Sequence, residues 1–281
     1  MDFTNNKNST IIKDQSTGQV NAMPLIMSDT SQFYKVESCT VGTHTFTPKR
    51  QEDVLFQEHS SGMYFYAKSP DHYYGVINEF AARWLCKAVD IQYHPMSVLP
   101  MTEASKIISP LVDGYFNSLE HIDKNTLIVS DENKIKHTIF YIFSADTDSN
   151  AGSVLIHTNK QAMSRIDFER CYGFNGATYN PDVSSGLGAI NAGPFYGDIK
   201  HLLINYTKED IIKIPIIQKI LNVDIIEFEQ LCNNMVEKLS TTLWPQHKDD
   251  LYKVKDLIVK VVSFRKEKIV DLVYEQIKRS N

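Results

Sequence analysis

The sequence predicts an α+β protein of two lobes: a small, mixed, β-rich lobe over residues 31–113 and a mainly helical lobe over residues 114–281, with a tail at 1–30 in front. Three observations predict it. Short aromatic and β-branched runs, separated by turn residues, fill the first lobe. One helical pattern is inserted among them. Beyond Ile135 the apolar spacing is mainly helical.

Residues 1–30 are rich in Asn, Ser, Thr and Asp and show no sustained period, as expected of a mobile tail or a strap over the folded body. Phe33-Tyr-Lys-Val36, Val54-Leu-Phe56 and Met63-Tyr-Phe-Tyr-Ala-Lys68 read as strands, with Gly42, Pro48 and Ser60-Ser61-Gly62 as the turns between them. The period then changes. Val76, Ile77, Phe80, Ala81, Trp84, Leu85 and Ala88 share one helix face. Extended runs at 95–100 and 106–112 follow, and Ile135, Ile139, Phe140 and Phe143 mark a helix that leads into Asp146. Residues 154–158 and 163–166 read as paired strands around Asn159-Lys160.

Residues 173–197 hold six of the twelve glycines and read as a long irregular loop, a kind of segment that in compact domains is usually functional or disordered. Thr207-Lys-Glu-Asp210 and Asp224-Ile-Ile-Glu227 are helix-start signals, because a side-chain oxygen there can accept from the first free backbone N–H groups. Pro215 interrupts the first of these helices. Leu251, Val254, Leu257, Ile258 and Val261 mark a last amphipathic helix.

Composition excludes several function classes. Hydrophobic residues make up 42% and charged residues 22% of 281, enough for an ample core. A net charge of -5, with no basic run interleaved with aromatics, speaks against a nucleic-acid partner. Cys39, Cys86, Cys171 and Cys232 form no CxxC pair, and the nine histidines include no HExxH, so buried thiols in a reducing compartment are expected rather than a zinc site. The first residues lack the apolar core of a secretory signal and no stretch is suited to crossing a bilayer, so a cytoplasmic protein is expected.

Asp148 and Asp167 stand at the two ends of the expected hairpin. Two acids so placed can serve one phosphoryl transfer, the first orienting the attacking group and the second holding a divalent cation against nucleotide phosphates. Upstream, Lys68 leaves a strand and can bind phosphate oxygens as a point charge, and Glu79 on the next helix can fix its direction. Each has a plainer reading. Lys68 is also a solvated strand end, and Glu79 is also the partner of Arg83 one turn on, a contact worth only about 0.3–0.5 kcal/mol when exposed. Asp146-x-Asp148-x-Asn150 opens like a calcium loop, but Ala151 and His157 stand where that loop needs Gly and a bidentate Glu.

In this order of parts the chain resembles the atypical kinases of the phosphatidylinositol-kinase and HipA-like type, including the minimal kinases that intracellular bacteria inject into host cells. Asp148-Ser-Asn150-Ala-Gly-Ser153-Val-Leu-Ile is similar to their D-x-H-x-x-N-hydrophobic catalytic loop, and Ile166-Asp167-Phe-Glu169 to their metal-binding D-F-G segment. The resemblance implies a protein-kinase-like fold that uses ATP with Mg2+ or Mn2+. Lys68 would contact the nucleotide phosphates, anchored by Glu79. Asp148 would be the catalytic aspartate, oriented by Asp146. Asp167 would be the principal metal ligand, with Ser153 and Asn150 as further ligands. Residues 109–113, Pro110 and Leu111 among them, would be the hinge gripping adenine. A protein or phosphoinositide hydroxyl would be the acceptor, an inositol phosphate or similar polyanion an activator, and a host cell the setting, reached without a classical signal peptide; peripheral membrane contact is compatible with this.

Three departures stand against the family pattern. Ser153 replaces a metal-binding Asn, Glu169 replaces the glycine after Asp-Phe, and no GxGxxG precedes Lys68, so Val41-Gly-Thr-His-Thr or the turn Pro48-Lys49-Arg50 must cover the phosphates. Two alternatives stay open: a silent kinase fold that binds nucleotide or partner without phosphotransfer, and a metal-dependent hydrolase in which Lys68 and Glu79 have no role. Lys253, Lys255, Lys260, Arg265, Lys266 and Lys268 offer a basic rim for a lipid head group, or a solvated helix face.

Overall fold

The computed structural model describes residues 12–13, 20–48, 51–70, 72–101, 105–112, 114, 117–119, 122–123, 126–148, 150–159, 161–175, 177–186 and 193–279. The expected α+β division is present: a β-rich N-terminal part and a helical C-terminal part. In the N-terminal part, β1 (Ile12–Lys13) and β2 (Val20–Ala22) pair antiparallel. There follow β3 (Phe33–Val36), β4 (Cys39–Val41), β5 (His44–Phe46), β6 (Val54–Glu58), β7 (Tyr64–Lys68), α1 (Tyr73–Ala88), β8 (Ser97–Leu99) and β9 (Lys106–Pro110). Five of these form one antiparallel sheet in the order β3-β6-β7-β9-β8.

The two-residue period of β7 sorts its side chains between two cores. Phe65 and Ala67 join Phe33, Phe56, Leu99 and Ile108 on one face. Lys68 falls on the other face, opposite Ile107 in register, where α1 packs through Val76, Ile77, Phe80 and Trp84. The strand period thus aims the lysine at the helix.

Of the two readings of the N-terminal segment, the strap describes residues 23–27. Met23, Leu25, Ile26 and Met27 are buried, and Val98 exchanges backbone hydrogen bonds with this segment: Met27 N–H to Val98 O at 2.8 Å and Val98 N–H to Leu25 O at 2.9 Å. Most of the expected tail, 1–11 and 14–19, lies outside the described residues.

In the C-terminal part, β10 (Asn117–Ser118) precedes α2 (Asp131–Ser144), which Ser130 caps by accepting from Asn133 N–H. Then β11 (Val154–Ile156) and β12 (Met163–Arg165) form the expected hairpin, with Val154 opposite Arg165. The stretch expected to be an irregular loop carries more structure than its composition suggests. It holds β13 (Phe174–Asn175), β14 (Thr178–Tyr179), α3 (Pro181–Ser185) and the start of α4 (Tyr196–Leu203), while 176 and 187–192 lie outside the described residues. Gly173 is required there: its φ is +82°, and a Cβ would meet Ser184 Oγ and the Asn180 carbonyl.

The helix-start signals are occupied as expected. Thr207 and Asp210 form a reciprocal capping box at α5 (Lys208–Ile211), α6 (Pro215–Leu221) restarts with Pro215 in its first turn, and Asp224 caps α7 (Ile225–Thr242). The last helix, α8 (Lys248–Lys278), is far longer than the stretch marked by its apolar residues and packs against α1, α2, α3, α5, α6 and α7.

Arg265 explains much of this arrangement. It is wholly buried on α8 and donates to the carbonyls of Ile142 and Phe143 at the end of α2 and of Val183 and Ser184 at the end of α3. A buried cation at two helix C-termini satisfies carbonyls that have no intrahelical donor and complements both dipoles. Burial brings its pKa down to about 10, so it stays charged at neutral pH. Arg265→Met should destabilise the protein by about 3 kcal/mol, because buried acceptors stripped of their donor cost about 1–3 kcal/mol each and water reaches some of them. A thermal melt checks this, with a drop of roughly 10 °C expected and a shift under about 2 °C contradicting it.

On the same helix, the basic run read as a lipid-facing rim or a solvated face is divided between buried and exposed positions. Arg265 and Lys255 are buried, Lys255 pairs with Asp256, Lys266 donates to the Val223 carbonyl at 2.8 Å, and Lys253 pairs with Asp250 at 3.2 Å. Helical periodicity distributes the run over buried and exposed faces, so it forms no continuous lipid-facing strip. The four cysteines are free and buried, and burial pushes the Cys86 thiol up to about 12. Among the described residues, no helix is long and apolar enough to cross a membrane.

Candidate functional site

Lys68, at the end of β7, lies between three carboxylates. Its Nζ is 3.3 Å from Glu79 Oε1, 2.9 Å from Asp167 Oδ1 and 2.8 Å from Glu169 Oε1. Burial alone would lower the ammonium's pKa, but Glu79, Asp167 and Glu169 outweigh it and hold the group well above its usual range. The three carboxylates thus favour the charged form of Lys68.

Glu79 projects from α1 and is fully buried, a placement that is costly for a carboxylate unless it is paired. One oxygen faces Lys68 and the other pairs with Arg83, one turn on. The functional and the plainer sequence readings of Glu79 thus coincide in one side chain. Arg83 is itself held: Nε donates to His94 O at 2.7 Å, and its guanidinium lies 5.0 Å from the centre of the Phe168 ring.

Asp167 follows β12 with φ of +60°, in the left-handed region that Asp tolerates better than most residues. The strand that carries it is tied to the loop after α1, Arg165 N–H donating to Gln92 O and His94 N–H to Arg165 O, both at 3.0 Å. Burial raises the Asp167 pKa, but Lys68 foremost, then Arg83 and Arg170, hold it below the usual carboxylate range. Glu169 behaves oppositely. Burial pushes its carboxyl up despite Lys68, and Glu79 and Asp167 add to the rise. Gly75 makes room for it, since a Cβ there would stand 3.2 Å from Glu169 Cγ, and Asn78 Nδ2 donates to the Glu169 carbonyl at 2.7 Å.

The ligand atoms of Glu79, Asp167 and Glu169 all lie within 4.8 Å of one another. Three hard oxygen donors surround one ammonium, and Glu79 and Asp167 add to the rise that burial imposes on the Glu169 carboxyl. This donor set fits a hard divalent cation such as Mg2+ or Mn2+.

Asp148 sits on the adjoining turn. The Asp146 carboxylate pairs with buried Arg165 and accepts the Asp148 backbone N–H at 2.9 Å, so a buried ion pair orients the loop. The Asp148 side chain is partly exposed, 3.3 Å from Arg170 Nη1, and accepts from Asn150 Nδ2 at 3.1 Å. Asn150 Oδ1 accepts from Gly152 N–H at 2.8 Å, and buried Ser153 turns its Oγ to the Asp148 carbonyl at 3.4 Å. The polar atoms of Asn150 and Ser153 are thus engaged within their own turn, and the acids beside Asp167 are Glu79 and Glu169.

Pro110 pairs with Phe65 in the sheet, and Leu111 N–H continues that ladder to Tyr64 O at 2.8 Å. Asp113 lies outside the described residues, as do Lys49 and Arg50 of one proposed phosphate-covering turn. The other candidate is the β4–β5 hairpin, turned at Gly42 with φ of +58°. A cavity of about 240 Å³ lined by Asp90, Gln92, Lys136, His137 and Met163 shares no residue with the acidic cluster.

Sequence reading had not assigned roles to Arg165 and Arg170. Arg165 is fully buried, its guanidinium 3.7 Å from the Tyr141 ring centre and 4.6 Å from that of Phe168. Its one visible signal was a charged residue inside an otherwise buried strand run.

No protein-family model and no curated protein matches the chain. Among solved structures it is similar to the Helicobacter pylori proinflammatory kinase CtkA, at 12% identity and a TM-score of 0.48, over 84% of this chain and 95% of that one. It is also similar to the open conformation of CtTel1, at 12% identity and a TM-score of 0.27; 80% of this chain is covered but only 12% of that one.

Proposed function

We propose that the chain is an ATP-dependent phosphotransferase, an atypical kinase that moves the γ-phosphoryl group of ATP to a hydroxyl of a protein or phosphoinositide. The observation that carries this reading is the meeting of Lys68, Glu79 and Asp167, from a strand, a helix and a post-hairpin turn, with Nζ–carboxylate distances of 3.3 and 2.9 Å. A fixed cation beside an acidic divalent-ion site is what a triphosphate needs, since phosphoryl transfer is mainly positioning and charge neutralisation.

In this mechanism Lys68 binds phosphate oxygens while Glu79, itself locked by Arg83, fixes the ammonium's direction. Asp167 and Glu169 would hold a divalent ion, which would supply charge neutralisation for the transferring phosphoryl group. Asp148, on the turn before β11, orients the acceptor hydroxyl and takes its proton. The acceptor oxygen bonds to the γ-phosphorus as the β,γ-bridging P–O bond breaks, and that electron pair leaves with ADP.

A second reading, a silent nucleotide-binding or interaction module, is favoured by one feature. Asn150 and Ser153, the expected further metal ligands, spend their polar atoms inside the catalytic turn. A plain metal-dependent hydrolase is disfavoured because it gives the Lys68–Glu79 pair no task.

Labelled ATP with Mg2+ or Mn2+, offered to separate protein and phosphoinositide panels with and without an inositol polyphosphate, tests the proposal. Metal-dependent transfer supports it, and the responding panel names the acceptor. ATP binding without turnover points to the silent module, and metal binding without nucleotide preference to the hydrolase. Lys68→Met should lower kcat/KM for ATP by about 100-fold, the usual cost of one preorganised charge contact. A value within about threefold of the parent would remove Lys68 from the site.

A further inference from the structure

A second cation lies beside the candidate site, paired with Asp148. Arg170 Nη1 is 3.3 Å from Asp148 Oδ2, and both side chains are partly exposed, at 39% and 44%. The backbone of Arg170 is fastened to the catalytic turn: its carbonyl accepts from Thr147 N–H at 3.1 Å and from Thr147 Oγ1 at 3.2 Å. The backbone of Arg170 is therefore fixed beside Asp148, while its partly exposed side chain keeps the freedom to turn. It also acts on Asp167, being one of the cations that oppose the effect of burial on that carboxyl.

Charge makes this residue matter. Lys68, Arg83 and Arg170 face Glu79, Asp148, Asp167 and Glu169, three fixed positive charges against four negative ones. Arg83 is buried beneath Glu79, and Lys68 is shared among three carboxylates. Of the three, Arg170 is the one paired with Asp148, the residue read above as the acceptor's base.

Resting on the phosphotransferase reading above, we propose that Arg170 is a catalytic residue whose guanidinium binds an oxygen of the γ-phosphoryl group beside Asp148. Its planar fork suits a phosphoryl oxygen, and its ion pair with Asp148 exchanges readily, because exposed pairs gain little over hydration. Moving from the carboxylate to the phosphoryl oxygen does two things at once. It neutralises charge that grows in the transition state, and it uncovers Asp148 to receive the acceptor's proton.

The test compares the parent chain with Arg170→Met and Arg170→Lys. It measures release of labelled phosphate from ATP with Mg2+ to acceptor or water, together with the affinities for Mg2+-ATP and Mg2+-ADP by calorimetry. Arg170→Met should lower kcat by about 100-fold and lose most of the preference for ATP over ADP, while Arg170→Lys recovers part of both. The nucleotide preference is decisive, since an arginine that merely held Asp148 in place would not move it. A parent that turns over ATP, with Arg170→Met within about threefold of it in kcat and unchanged in ATP over ADP preference, overturns this proposal alone. A parent that neither binds nor turns over ATP overturns it together with the phosphotransferase reading.

Discussion

Asp167→Asn should reduce phosphoryl transfer by about 1,000-fold or more while leaving the protein folded. Asn suits the left-handed backbone at φ +60° as well as Asp does, so the turn after β12 is not strained by the change. Lys68 keeps Glu79 at 3.3 Å and Glu169 at 2.8 Å, and Glu79 keeps Arg83, so no buried charge is stranded. What is lost is one formal negative charge in the only cluster of three acids close enough to share a divalent ion among the described residues. A metal contributes several kcal/mol of transition-state charge stabilisation, and about 4 kcal/mol corresponds to the stated factor. A labelled-ATP assay at high Mg2+, paired with a thermal melt, measures both halves. Full transfer by the variant would take the metal site away from Asp167.

Asp148→Ala should cost about 100- to 10,000-fold in kcat, the span typical of a positioned general base, with little change in KM for ATP. Its partners explain why folding should survive. The Arg170 and Asn150 contacts are partly exposed, and an exposed pair contributes roughly 0–1 kcal/mol. The turn itself is held from elsewhere, by the Asp146–Arg165 pair and by Thr147 on the Arg170 carbonyl. Steady-state kinetics decide the matter. A rise in KM at constant kcat would make Asp148 a nucleotide-binding group rather than the acceptor's base.

The elements that were legible in the sequence are those whose periodicity spans several residues. The β6–β7 pair, α1 and the β11–β12 hairpin could be read because alternation or one helix face persists over the whole element. The candidate site residues on or flanking those elements, Lys68, Glu79, Asp148 and Asp167, could be placed in order for the same reason. The segment at 173–197 could not be resolved, because two-residue strands and a five-residue helix carry no period; the asparagine cap at Asn180 was the available signal. In α8 the apolar stripe continues through Val262, Ile269, Val273 and Ile277, but Arg265 occupies a buried position on it, and a charged residue there reads as the end of the stripe. The buried strap at Met23, Leu25, Ile26 and Met27 had a signal in its dense apolar composition, outweighed by the polar tail before it.

Tertiary contacts account for the rest of the site. Glu169 reaches Lys68 past Gly75 in the first turn of α1, where a Cβ would crowd it, and these residues are far apart in sequence. Arg83 serves Glu79 and stacks on Phe168, and Arg170 reaches Asp148 because their two loops are hydrogen-bonded together. No local pattern encodes those meetings.

The most direct measurement is a crystal structure with Mg2+ and a non-hydrolysable ATP analogue. The account predicts the triphosphate between the lobes, Lys68 Nζ on a phosphate oxygen, the metal on Asp167, and Asp148 facing the γ-phosphoryl group. A nucleotide bound away from Lys68, or a metal held without Asp167, would contradict it.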